Sequence, residues 1–80
     1  MVDKHIAKVI VDVAVFLEFS DADVVNEDSA VAMLEQIASE LQCMENTEQE
    51  SLALQFKELA SQYGDKRAFV ESLSDTLGLA

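Results

Sequence analysis

No proline interrupts this chain of 80 residues, and its only glycines are Gly64 and Gly78. With turn residues this scarce, a β-sandwich or barrel has nothing to build its many reversals from. Alanine, leucine, glutamate, glutamine and valine abound instead, which favours helices. The length gives a single domain, 1–80, near the small end of what folds without staples. Cys43 is the one cysteine, so no intramolecular disulfide can help, and a reducing compartment suits the chain.

The stretch KVIVDVAVFLEF, residues 8–19, tests this reading because its valines and isoleucine also suit a strand. A strand would alternate apolar and polar residues, and this stretch does not. At 100° per residue, Ile6, Val9, Ile10, Val13, Phe16 and Leu17 fall on one broad face, the expected core face. Lys4, Lys8 and Asp12 fall opposite, with His5 near the edge, and Asp3 is placed to cap the helix. Val11, Val15 and Phe19 are left over among the polar positions. Three apolar residues aligned there point to a second copy of the chain or another partner packing on helix one, or else to a bundle that simply wraps helix one. Leu54 on the third helix is a further surplus residue.

SDADVVNED reads as the first connection, and the second helix is expected to begin near Asp28 or Ser29. Val31, Leu34, Ile37, Ala38, Leu41 and Met44 form its stripe, with Cys43 outside it. Thr47 and Glu50 have the spacing of a capping box opening the third helix. Leu52, Phe56, Leu59, Ala60 and Tyr63 follow on one face, and Gly64 suits a left-handed C-terminal position. Asp65 is placed to cap a last helix carrying Phe69, Val70, Leu73 and Leu77, with Gly78 as its stop. The expected fold is all-α, a small four-helix up-down bundle with helices near 3–19, 28–44, 48–63 and 66–77.

The net charge of −11 is distributed unevenly. Between Val9 and Phe56 there are eleven acids and no lysine or arginine, while elsewhere five acids cancel five bases. Such a field works against nucleic acid and anionic membrane, and steers a basic protein inward. The apolar run is too short for a membrane span, which needs about 20 residues, and Asp12 interrupts it. No targeting segment is read in MVDKHIAK, where Asp3 intrudes, so the expected location is the cytoplasm.

Chemistry is hard to place. His5 sits near the N-terminus, and Cys43 has Glu40 and Glu45 nearby but no cation, the opposite of what a reactive thiolate needs. DADVVNEDSAVA begins like a calcium loop but has Val25 at a ligand position, Asn26 in place of glycine and Ala32 in place of the bidentate glutamate. One cysteine and one histidine make no zinc spacing. Carboxylate pairs arise by composition alone, and none is placed on an apolar face, where acid–base work requires it. Neither catalytic residues nor a metal or other cofactor is expected.

EDSAVAMLEQIASEL resembles the start of the second helix of acyl carrier proteins, which are likewise small, acidic and helical. That resemblance implies phosphopantetheine on Ser29, with Asp28 as its partner. The family's leucine is replaced here by Ala30, no glycine precedes Asp28, and the preceding loop is short. In general character the whole chain is similar to small acidic immunity proteins and antitoxins, without the tyrosine–proline signature of the colicin-nuclease inhibitors. The expected function is therefore non-enzymatic protein binding, with Asp21, Asp23, Glu27, Asp28, Glu35 and Glu40 facing a basic partner such as a toxin. The alternative is a homodimer through Val11, Val15 and Phe19.

Overall fold

The computed structural model describes residues 2–79, and its regular elements are all helical. They are α1 (Lys4–Phe19), α2 (Glu27–Leu41) and α3 (Asn46–Leu59), two 3₁₀ turns (Ala60–Gln62 and Gly64–Lys66), then α4 (Arg67–Glu71) and α5 (Leu73–Thr76). The all-α class and the small helical bundle stand as expected. α1 packs on α2 and α3, and α3 packs on α4 and α5. The thinnest extent is 19 Å. That leaves room for two layers of helices about 10 Å across, so each helix keeps an outer face.

The core is built mainly between α1, α3 and the C-terminal turns. Ala7, Val11 and Ala14 of α1 meet Leu52 and Phe56 of α3, with Ala60, Val70, Leu73 and Leu77 closing the cluster. The stripes expected on α3 and on the last helical segment are thus in place. α2 is peripheral: Leu34, Ile37, Ala38 and Leu41 are only half-buried against the cluster, and Val31 is exposed.

Helix one is turned relative to the expectation. Val11 is fully buried, at 0% exposure, whereas Ile6, Val9, Val13 and Phe16 are 57%, 59%, 41% and 52% exposed. Val11 therefore belongs to the chain's own core and is unavailable to a second copy. Val15 is half-buried against the same core. Phe19 stays exposed at its edge, yet its ring meets Phe69 edge-on at 5.2 Å and lies under the Lys66 ammonium. The reason is volume. Ala7 and Ala14 flank Val11 on the inward face, and small side chains let α1 sit close to the bulky Leu52 and Phe56. The bulkier face of α1, the one its hydropathy selects, is left toward solvent.

Caps and breaks differ in detail. Asp3 caps α1 as expected, accepting from the His5 and Ile6 N–H groups at 2.7 and 3.4 Å. α2 begins one residue before Asp28, because Asn26 takes the cap and accepts from the Ser29 N–H at 3.1 Å. α3 begins after Glu45, which makes no side-chain cap, so Thr47 and Glu50 lie within the helix and the expected capping box does not form at its start. Lys66, not Asp65, precedes α4. The last helix is also split. The Ser72 hydroxyl donates to the carbonyls of Ala68 and Phe69, at 3.1 and 3.2 Å, competing with the helix's own ladder and bending it. Gly64 is left-handed, at φ 54°, but it follows a 3₁₀ turn rather than the α-helix itself.

Candidate functional site

The six carboxylates nominated for a partner are all exposed. The Asp21 carbonyl accepts from the Val24 and Val25 N–H groups, at 2.9 and 3.0 Å, folding the connection into a turn that presents Asp21 and Asp23. Asn26 then starts α2, so Glu27 and Asp28 occupy its first turn, where carboxylates complement the helix dipole. Four nominated acids therefore gather at the N-terminal end of α2. Glu35 lies seven residues, about two turns, beyond Asp28 and continues its face. Glu40 lies about a third of a turn around from that line, so the six do not form one strip. No base stands in the last turn of α2, where Glu40 opposes the dipole. Helix stability alone would not place it there.

Titratable groups remote in sequence meet at Lys8, Asp12 and Tyr63. The Tyr63 hydroxyl donates to Asp12 Oδ1 at 2.5 Å and accepts from Lys8 Nζ at 3.1 Å. Lys8 Nζ also lies 3.4 Å from Asp12 Oδ1 and 4.9 Å from the Tyr63 ring centroid. The hydrogen bond to Tyr63 raises the Lys8 pKa, outweighing the desolvation that lowers it. Burial, followed by the hydrogen bond to Asp12, raises that of Tyr63. A tyrosine held in its protonated form is the reverse of one prepared to act as a base near neutral pH. The trio reads as a clasp between α1 and the turn that follows α3.

An open groove of about 640 Å³ lies between Val2–Lys4 and α3. Glu50, Glu58 and Leu54 line it, with Gln55 at its base donating to the Val2 carbonyl. Among the described residues, no group of three or more His, Cys, Asp or Glu side chains is arranged to hold a metal ion. Asn26, at the glycine position of the stretch that begins like a calcium loop, serves as the cap of α2. No helix among the described residues is long and apolar enough to cross a membrane.

Ser29 is exposed in the first turn of α2 beside Asp28, with its N–H spent on the Asn26 cap. Cys43 is exposed and donates to the Ser39 carbonyl at 3.4 Å. The residues missed from the sequence are Ile6, Val9, Val13 and Phe16, which were expected inside. Their signal was available in the alanines at 7 and 14, which mark the side of α1 able to approach a neighbouring helix closely. Compared with known proteins, the chain matches no family model, no curated protein and no solved structure.

Proposed function

We propose that the protein is a non-enzymatic protein-binding module acting in the cytoplasm, working in the manner of an immunity protein or antitoxin. Its acidic middle is offered to a basic partner protein such as a toxin. One observation carries the reading: from Asp21 to Glu50 the chain has nine acids and no base, and the nominated carboxylates within it are exposed. Lys8, Lys66 and Arg67 pair with Asp12, Asp65 and Glu71, all outside it. Exposed interfacial charges act chiefly on association rate and on the choice of partner.

The test needs a basic protein that is captured from host lysate at low salt and released at high salt. With that protein as ligand, Asp23→Lys combined with Glu27→Lys should slow association about tenfold or more at low ionic strength. The difference should shrink as salt screens it. An association rate indifferent to both substitutions would contradict the reading.

A further inference from the structure

We propose that the seam between α2 and the end of α1 is a groove for a basic amphipathic helix of the partner protein, seating an apolar side chain that has a lysine or arginine on either side. The inference rests on the acidic-surface reading and narrows it to one place. Two adjoining hollows, of about 260 and 240 Å³, lie along the seam and share Glu18, Val31 and Leu34. The first reaches from Leu17 of α1 to the start of α2, and the second ends on Leu77, just beyond α5. Ala30 lines the first and Ala38 the second, and neither is bulky enough to fill the space beside Leu34. Leu34 is half-buried and Val31, at the mouth, is 55% exposed. An apolar side chain seated there takes both out of water.

Charge selects the occupant, and the charges line the hollows themselves. Glu18 and Glu27 stand on the first, Glu18 and Glu35 on the second, and no lysine, arginine or histidine lines either. All three carboxylates are exposed, and among the described residues none of them joins an ion pair. Nucleic acid or anionic lipid would meet like charge here. A second copy of the chain, itself at −11, has Lys8, Lys66 and Arg67 already paired with its own acids. A basic protein suits the rim, and an apolar anchor suits the floor.

Spacing gives the occupant its pattern. Glu27, Val31 and Glu35 follow one another at intervals of four residues and so share one side of α2. The two carboxylates are therefore about 12 Å apart along the helix axis, with Val31 midway. A helix lying along α2 matches this with bases at about i and i+7 and an apolar residue at about i+4. Within such a contact the apolar anchor governs how long the partner stays, while the rim carboxylates govern how fast it arrives.

The probe is a synthetic helical peptide of about 15 residues with leucines along one side and lysines bordering them, beside a second peptide in which glutamine replaces every leucine. Each is titrated into the full chain at low salt and followed through the protein's methyl resonances. The leucine peptide should bind about tenfold tighter or more, and should shift Val31, Leu34 and Leu77 most. Val31→Asp adds a further acid to the groove while removing its apolar mouth. It should weaken the leucine peptide about tenfold, whereas attraction by charge alone would tighten it. Val24→Asp, outside both hollows, should not weaken it, and circular dichroism should show both variants as helical as wild type. Equal affinity for the two peptides, tighter binding by Val31→Asp, or shifts gathered at Val9, Val13 and Leu54 would overturn the groove and leave the acidic-surface reading standing. Binding of neither peptide would overturn the groove and count against the acidic surface too. That broader reading fails separately, in the association rates of the captured protein.

Discussion

At Tyr63 a single hydroxyl answers two partners, donating to Asp12 and accepting from Lys8, and so ties the second and third turns of α1 to the chain beyond α3. Removing it in Tyr63→Phe should cost about 0.5–1.5 kcal/mol at neutral pH, measured by urea unfolding. The pH dependence has a definite sign. Both Lys8 and Tyr63 are raised in the folded protein, above ordinary values of 10.5 and 10.0. The folded state therefore holds these protons more tightly than the unfolded chain does. Their contribution is complete below about pH 10 and is lost as pH rises through the folded values. Stability of the wild type should fall above pH 10, and Tyr63→Phe should fall less steeply; parallel curves would contradict the clasp. None of this was legible in the sequence, because the three residues are brought together only by tertiary packing. The apolar spacing that continues from α3 to Tyr63 was legible, and the ring is half-buried against the core as expected, although α3 itself ends at Leu59.

At the scale of elements, the join between α2 and α3 depends on Gln49. This residue is buried, and its amide donates to the carbonyls of Gln42 and Met44 at 3.0 and 2.8 Å. The first carbonyl is that of the residue that ends α2, where helix acceptors lack partners of their own, and the second lies in the short connection to α3. Gln42 in turn donates to the Leu77 carbonyl at 2.8 Å, tying that join to the C-terminal turn. α2 buries little, so these bonds matter more to it than to α3. Gln49→Leu should destabilise by about 1–3 kcal/mol and speed amide exchange at the end of α2 before that of α3. Uniform exchange across both helices would argue against this role. The helical stretches were readable because apolar spacing and the two glycines agree with each other, but the number was not: four helices were expected, whereas α3 stops at Leu59 and the last stretch is divided into α4 and α5. The caps were less so. SDADVVNED offers four aspartates or asparagines within nine residues, and composition cannot choose between Asn26 and Asp28. The split at Ser72 was hidden because a hydroxyl's competition with the backbone depends on local geometry.

For the molecule as a whole, the orientation of α1 decides which surfaces are offered outward. Hydropathy ranks side chains by bulk and so assigns Val9, Val13 and Phe16 to the interior. Packing in a two-layer molecule instead selects the alanine side, where α1 can approach α3. The exposure of the six nominated carboxylates was legible, since charged side chains favour water. The face of α1 that remains outside was not. The acidic end of α2 is set by the Asn26 cap, and the orientation of α1 leaves Ile6, Val9, Val13 and Phe16 outward. The most direct measurement of the underlying claim is urea unfolding of Val11→Ala beside Val13→Ala, at protein concentrations low enough to keep the chain monomeric. Two valines two positions apart on the same helix then report its two faces. Val11→Ala should cost about 2 kcal/mol by emptying a packed site, and Val13→Ala less than about 0.5 kcal/mol. Equal costs, or a larger cost at Val13, would mean that α1 packs through its bulky face and that neither α1 surface is as described.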